Sequence, residues 1–186
     1  MKQEIRVLGI DDAPFDKFKH KTVLVIGAFF RGGRTLEGVL STRCRVDGVD
    51  ATEKLIQMVK KSKFFPQIQA IFTGGLNIAG FNMIDIHGLS QETGKPVIAI
   101  VRRKPNLELI KKTLLKLGMS DRVRFIEKAG KPVSYRHLYF QAAGVSVQDA
   151  KQFIDVSVAN SHIPEALRIA HIIGAGVVKG ESRGKA

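Results

Sequence analysis

The chain has 186 residues, 44% of them hydrophobic and 25% charged, which is enough to bury the core of one soluble domain. Its formal net charge of +13, from 30 Lys and Arg against 17 Asp and Glu, favours a polyanion such as DNA or RNA as its partner. A single cysteine, Cys44, excludes an intrachain disulfide and a cysteine-based zinc cluster.

Three predicted strands begin the chain. Ile5 to Asp12 alternates apolar and other residues, Thr22 to Phe30 is almost continuously apolar, and Thr35 to Val46 follows the turn Arg31 to Arg34. The two glycines of that turn can adopt the positive φ of a hairpin. We therefore predict an antiparallel meander of three strands.

Helices and strands then alternate. Helical spacing predicts helices at Asp50 to Lys61, Met83 to Thr93, Leu107 to Leu117, Val147 to Val158 and Pro164 to Gly174. Short apolar runs predict strands at Ile68 to Phe72, Pro96 to Val101 and His137 to Gln141, with a Gly/Asn-rich loop at Gly74 to Asn82 and a turn at Gly130 to Pro132. This order predicts an α/β fold with a mixed sheet covered by helices on both faces, the layout of the ribonuclease H-like fold.

The order of predicted elements and the lengths of the apolar runs indicate the number of domains and the cellular compartment. Residues 1–179 are expected to form one domain, and residues 180–186 a flexible tail. The longest apolar run, Val23 to Phe30, is far shorter than the roughly 20 residues that span a bilayer, and the N-terminus has no apolar signal segment. We expect a cytoplasmic protein with no membrane partner.

Acidic residues cluster where predicted strands end. Asp11 and Asp12 close the first strand, and Asp47 and Asp50 lie where the third strand passes into the first helix. Carboxylates without a His or Cys set favour Mg²⁺ or Mn²⁺, and such ions activate water in phosphodiester cleavage. We predict metal ligands among Asp11, Asp12, Asp47, Asp50 and Asp85, with Asp11 and Asp50 as the catalytic pair.

Structural roles for some of these acids remain open. Strand alternation allows only one of Asp11 and Asp12 to face a given site, and the other can cap the turn into Ala13–Pro14. Asp50 to Glu53 also has the form of a capping box, in which Asp50 accepts a hydrogen bond from the helix start. In that case Asp47 can bind metal while Asp50 caps.

A second set of residues suits contact with nucleic acid. Glycines in the Gly74 to Asn82 loop permit close approach to a phosphate or a flipped base, although an ordinary turn with a buried Phe81 and a helix capped by Asn82 is the alternative. Three consecutive cations that end a strand suit phosphate contacts. His171 and Arg168 lie one turn apart, a pair that more often packs than catalyses. The predicted nucleic-acid contacts are Arg102, Arg103, Lys104, Gly80, Phe81, Asn82 and Arg168.

Several segments together resemble an archaeal family, domain of unknown function ninety-nine, that is related to endonuclease V. They are GIDDAPF (Gly9 to Phe15), VDGVDATE (Val46 to Glu53), AGFNMID (Ala79 to Asp85), GKPVIAIVRRKPN (Gly94 to Asn106) and IPEALRIAH (Ile163 to His171). The resemblance implies a ribonuclease H-like fold and Mg²⁺-dependent nicking beside deaminated bases in DNA or RNA, a DNA-repair activity.

Carried over to this chain, the resemblance makes Asp11 the metal ligand of the first strand and Asp50 or Glu53 the second. The chain departs from the family pattern at the fourth strand, where relatives have Asp-Gly and this sequence has Gly74–Gly75. Three hypotheses follow: an endonuclease V-like nuclease with a weakened metal site, a nucleic-acid-binding protein that has lost catalysis, and a small-molecule phosphoesterase, which leaves the charge of +13 unexplained.

Overall fold

A computed structural model of the protein describes residues 4–182. The strands are β1 (Arg6–Asp12), β2 (Thr22–Arg31), β3 (Thr35–Arg45), β4 (Ala70–Thr73), β5 (Asn77–Ile78), β6 (Asn82–Met83), β7 (Val97–Val101), β8 (Val133–Tyr135) and β9 (Leu138–Ala143). The helices are α1 (Ala51–Lys60), α2 (Ile86–Thr93), α3 (Leu107–Lys116), α4 (Val123–Ala129), α5 (Val147–Ser157) and α6 (Glu165–Lys179). Two 3₁₀ turns lie at Phe65–Gln67 and Ser120–Arg122.

Seven strands form one mixed sheet in the order β3-β2-β1-β4-β7-β9-β8, and β5 pairs with β6 in a separate hairpin. The first three strands are antiparallel, as predicted, whereas β1, β4 and β7 run parallel to one another. Parallel strands end at the same side of a sheet, so the ends of β1, β4 and β7 lie side by side. We call this side, marked by Asp12, Thr73 and Val101, the carboxyl edge.

Helices cover both faces of the sheet, as expected for the mixed α/β architecture. Helices α1 to α4 pack on the face that carries Leu8 and Ile10 of β1, and α5 and α6 pack on the face that carries Val7. This alternation follows from the pleat of the strand, which sends successive side chains to opposite faces. Both faces of β1 are therefore buried between Val7 and Ile10, where four residues without polar side chains follow one another and the alternation is interrupted.

Glycine brings α6 into direct backbone contact with β1. A Cβ atom added to Gly9 of β1 would lie 2.2 Å from the carbonyl carbon of Ala166 in α6, closer than any real Cβ contact. Further along α6, a Cβ on Gly174 would lie 3.0 Å from Cα of Ala13. The absence of side chains at these two positions sets how closely α6 approaches the end of β1.

Some sequence predictions need correction. Helix α2 begins at Ile86 rather than Met83, because Asp85 caps it, and α6 continues beyond the predicted Gly174 to Lys179. Helix α4 and strand β8 were not predicted, since each is too short to show a clear period. The predicted tail includes residues 183–186, which lie outside the described residues. Within residues 4–182, no helix has the length and apolar character needed to cross a membrane.

Candidate active site

Asp11 and His171 meet at the carboxyl edge. Asp11 is the penultimate residue of β1 and His171 lies within α6, and Asp11 Oδ2 is 3.0 Å from His171 Nδ1. A carboxylate can only accept hydrogen bonds, so Nδ1 is the donor and Nε2 remains available. Although the two residues are 160 positions apart in the chain, the packing of α6 on β1 makes them a hydrogen-bonded pair.

The Asp11–His171 pair borders an open cavity of about 300 Å³. Gly74, directly after β4, and Arg102, directly after β7, also line it, and the remaining lining residues are Ile100, Val101, Ile163 and Leu167. A Cβ added to Gly74 would lie 2.8 Å from Asp11 Oδ1. Gly74 therefore leaves the space beside the free oxygen of Asp11 empty of side-chain atoms.

The hydrogen bond to Asp11 raises the pKa of His171 above its usual value, and the negative charges of Asp11 and Asp12 add to that effect. Burial and the positive charge of Arg102 oppose it. The protonated imidazole is consequently favoured over a wider pH range than in a free histidine.

Replacement of Asp11 by Asn is expected to lower the pKa of His171, because it removes both the carboxylate acceptor and its charge. NMR titration of the ring protons measures this shift, with Asp16→Asn as a control at a carboxylate elsewhere in the chain. In the wild type, the stabilising contribution of His171 is complete below the unfolded pKa of about 6.5 and is lost as the pH rises through the higher folded value. An unchanged His171 pKa in the Asp11→Asn variant would contradict the pairing.

Asp12 faces away from this pair. Its Oδ2 accepts a hydrogen bond of 2.7 Å from the backbone N–H of Ala79, in the loop that follows β4. Burial raises the pKa of Asp12, the nearby charge of Asp11 adds to the increase, and the Ala79 N–H opposes it. The expected alternation of Asp11 and Asp12 is confirmed, but the suggested cap on Ala13–Pro14 is wrong, since the Ala13 N–H donates to the carbonyl of Leu24.

Asp50 is buried and forms hydrogen bonds within the protein. It is 7% exposed, and its Oδ1 accepts hydrogen bonds from Asn82 Nδ2 at 2.7 Å and from the backbone N–H of Arg45 at 3.2 Å. Burial by itself would raise the pKa of Asp50, but these bonds and the positive charge of Arg45 outweigh it and lower that pKa. The predicted capping box is wrong, because the Asp50 side chain makes no cap hydrogen bond to α1 and Glu53 Oε1 accepts from Gln57 Nε2 instead.

The remaining predicted ligands are also engaged elsewhere. Asp47 has φ of +50° and its Oδ1 accepts from the backbone N–H of Phe81 at 2.7 Å. Asp85 caps α2 by accepting from the N–H of Gly88, and its other oxygen is 2.8 Å from Nζ of Lys128. Residues 4–182, which include all five predicted ligands, contain no group of three or more His, Cys, Asp or Glu side chains able to hold a metal. The five acids therefore do not gather into one multi-carboxylate site within these residues.

The loop that follows β4 is stabilised from within the protein. Asn82 is fully buried, which contradicts its predicted contact with nucleic acid and also its alternative role as the cap of α2. Phe81 packs partly against the core, and its carbonyl accepts from Arg122 Nη1. Gly80 has φ of +85°, and the position of a Cβ there is occupied by Asp47 Oδ1. These contacts favour the ordinary-turn interpretation of the loop.

The predicted cations divide into two kinds. Arg102, Arg103 and Lys104 are exposed at the carboxyl edge directly after β7, and none forms a hydrogen bond or salt bridge with another described residue. Arg168 instead forms hydrogen bonds of 2.6 and 2.9 Å to Glu165 Oε2, and Glu165 is buried. Arg168 therefore orders the start of α6, while the three consecutive cations remain available to a polyanion.

Sequence reasoning missed the hydrogen bond between His171 and Asp11. The helical spacing places it one turn from Arg168, and that local pattern suggests packing. No local signal connects His171 to Asp11, because their contact depends on how α6 crosses β1.

The protein offers few ligand atoms for a metal ion beside Gly74, so most ligands of such an ion would have to come from water or substrate. Asp11 Oδ1 is a single carboxylate oxygen facing an open cavity. Mg²⁺ in proteins commonly takes one or two carboxylates and completes its octahedron with water and substrate phosphate oxygens. The residues present therefore fit a divalent ion that substrate completes, with weaker binding than a three-carboxylate site provides.

Comparison with known proteins identifies a family that matches nearly the whole chain. The sequence profile of a family described as "Endonuclease dU" matches residues 3–178. A "UPF0215 protein" of Methanothermobacter thermautotrophicus is 50% identical over 192 residues, covering 100% of this chain and 94% of its own length. A "UPF0215 protein" of Archaeoglobus fulgidus is 38% identical, covering 97% of this chain and 98% of its own.

Solved structures show the same fold. A protein of unknown function from Archaeoglobus fulgidus has a TM-score of 0.88 and 36% identity, covering 94% of this chain and 99% of its own. Endonuclease V from Bacillus subtilis has a TM-score of 0.62 at 12% identity, covering 94% and 81%. Ciona intestinalis endonuclease V, in complex with a DNA 24mer containing an inosine, has a TM-score of 0.59 at 12% identity, covering 90% and 82%. The ribonuclease H-like fold and the family resemblance are confirmed.

Proposed function

Since the chain belongs to the Endonuclease dU family, we propose that it is a divalent-metal-dependent endonuclease that cuts nucleic acid beside deaminated bases, with deoxyuridine in DNA as the first candidate. The observation that carries the proposal is the Asp11–His171 pair at the carboxyl edge, 3.0 Å apart beside an open cavity. The net charge of +13 suits a polymer of phosphates better than a small neutral substrate.

The residues around the cavity have different roles in the proposed phosphodiester hydrolysis. Asp11 Oδ1 is the ligand that the chain offers to Mg²⁺ or Mn²⁺, and such an ion, when bound, activates water and offsets phosphate charge. Arg102, Arg103 and Lys104 hold the backbone phosphates of the strand. His171 is oriented by its Nδ1 hydrogen bond to Asp11, and when its Nε2 is protonated it can give that proton to the oxygen that leaves phosphorus.

Cleavage of defined strands tests the proposal. We expect the purified full-length protein, with Mg²⁺ or Mn²⁺, to nick single- and double-stranded DNA that carries one deoxyuridine and to leave the matched thymidine strand intact. A DNA strand with one deoxyinosine tests the preference for the base. An RNA strand with one uridine tests the preference for the sugar. Gel analysis of end-labelled products measures the rate, and addition of EDTA should stop it. Equal cutting of the thymidine control, or no cutting of any strand, would overturn the proposed specificity or activity respectively.

A second candidate is a nucleic-acid-binding protein that does not cut. Gly74 favours it, because the end of β4 carries no carboxylate beside Asp11. Such a protein would bind duplex DNA more weakly as salt increases. The slope of log K against the logarithm of the salt concentration would be roughly −0.9 for each phosphate contacted. Salt-dependent binding without a metal-dependent product would select this candidate.

A further inference from the structure

Phe18 is presented to solvent in an unusual way. The loop between β1 and β2, residues 13–21, leaves this side chain 88% exposed. Among the large apolar side chains that are exposed within residues 4–182, it is the most exposed and the only aromatic one. A single exposed apolar residue is common on protein surfaces, so the neighbourhood has to indicate whether this one binds anything.

The turn that carries Phe18 is locally ordered. Asp16 Oδ1 accepts a hydrogen bond of 2.9 Å from the backbone N–H of Phe18, and the Asp16 carbonyl accepts from the N–H groups of Lys19 and His20. The ring of His20 in turn accepts from the N–H of Asp16 at 2.9 Å. These hydrogen bonds fix the backbone on both sides of Phe18, so the ring is displayed at little entropic cost on binding.

The surroundings of Phe18 are basic. Lys17, Lys19 and Lys21 flank it and are exposed, and Nζ of Lys17 lies 4.9 Å from the centroid of the ring. An aromatic ring among lysines is the combination that single-stranded nucleic acid favours, because bases stack on the ring while cations contact phosphates.

The position of the loop connects Phe18 with the candidate active site. It follows Asp12 directly, and Asp12 pairs with Val25 across β1 and β2, so the loop extends from the carboxyl edge. Arg102, Arg103 and Lys104 leave the same edge after β7. In the strand order β2-β1-β4-β7, the Phe18 loop joins β1 to β2 and the three cations follow β7, so the two groups leave the carboxyl edge on opposite sides of β1.

We propose that Phe18 is a positioning residue that stacks on or inserts beside a base adjacent to the target nucleotide. This inference rests on the proposed function, since it assumes a nucleic-acid strand at Asp11. Insertion of an apolar side chain between bases unstacks them and exposes a neighbouring nucleotide, at an energetic cost that the basic flanks offset. The lysines then contact the phosphates of the strand. A duplex whose bases stay fully stacked leaves no space for the ring and is expected to bind more weakly.

Fluorescence of 2-aminopurine placed next to deoxyuridine in a short duplex tests the inference, because this base brightens when it is unstacked. The full-length protein carrying Asp11→Asn is used, so that the DNA is not cut. We expect it to raise the fluorescence, and expect Phe18→Ala in the same background to abolish that rise and weaken binding roughly 5- to 100-fold. Phe18→Trp should preserve both signals. Since Phe18 is exposed, the Tm should change by no more than about 2 °C.

Leu36→Ala is the matched control. Leu36 is 44% exposed at the start of β3, on the side of the sheet opposite the carboxyl edge, and its replacement should leave binding and fluorescence unchanged. Unchanged binding and fluorescence for Phe18→Ala would overturn the inference and leave the nuclease proposal intact. A change in oligomeric state without a change in DNA binding would also overturn it, by making a second copy of the chain the partner. Failure of the parent protein to bind any strand would overturn both proposals.

Discussion

Replacement of Asp11 by Asn is expected to slow cleavage of the deoxyuridine strand by roughly 10²- to 10⁴-fold. The substitution keeps the size of the side chain but removes the carboxylate charge that a divalent ion requires. It also removes the acceptor that orients His171, whose Nδ1 lies 3.0 Å from Asp11 Oδ2. Both losses act on the same step, so their effects should not be additive with those of a His171 substitution.

Single-turnover rates at saturating protein measure this effect, with far-ultraviolet circular dichroism to show that the fold is retained. Asp12→Asn is the matched control, because Asp12 is the adjacent residue of β1 and its side chain accepts from Ala79 on the other face. The side-chain carbonyl of asparagine can still accept that hydrogen bond, so this variant should keep most of the activity. Loss of cleavage in the Asp12→Asn variant with activity retained in the Asp11→Asn variant would reverse the assignment of the two acids.

Replacement of Gly9 by Ala is expected to lower the free energy of unfolding by about 3 kcal/mol. The added methyl group would meet the carbonyl carbon of Ala166 at 2.2 Å and the amide nitrogen of Leu167 at 2.5 Å. These are backbone atoms of α6, so no side-chain rotation can relieve the contact and the helix itself must move away from β1. His171 would move with it, and cleavage should decrease together with stability.

Urea denaturation of the two proteins measures the loss. Gly176→Ala, in the same helix, is the control, since a Cβ there meets no atom within 4 Å. Alanine in an open helical position is expected to stabilise the protein by about 0.5 to 1 kcal/mol, so the two substitutions should have opposite signs. A Gly9→Ala protein within about 0.5 kcal/mol of the wild type would show that α6 does not depend on this contact.

Local chemistry made much of the fold predictable. The three-stranded meander, the C-terminal glycine of α2 at Gly94 and the cap of α5 at Ser146 depend on hydrophobic period and on hydrogen bonds within a few residues. The mixed sheet follows from the order of these elements. The position of Asp11 near the end of β1 was predictable for the same reason, because hydrophobic period marks where a buried strand ends.

The fate of the other acids was not predictable from local pattern. Asp47 bonds to Phe81, 34 residues away, Asp50 to Asn82, 32 residues away, and Asp85 to Lys128, 43 residues away. Each partner lies in a distant segment of the chain, and the sequence around each acid does not indicate which polar group will face it. A carboxylate that stabilises a loop and one that binds metal have the same local sequence signature.

His171 shows most clearly the difference between what local sequence determines and what tertiary packing determines. The amino-acid pattern establishes a basic α/β protein with an acid at the end of its first strand, because charge, period and strand order are properties of neighbouring residues. The partner of that acid comes from a helix 160 residues away and is brought to it by the contact of α6 with the glycine of β1. Distances between side chains on separate elements depend on how those elements pack, and packing is a property of the folded chain.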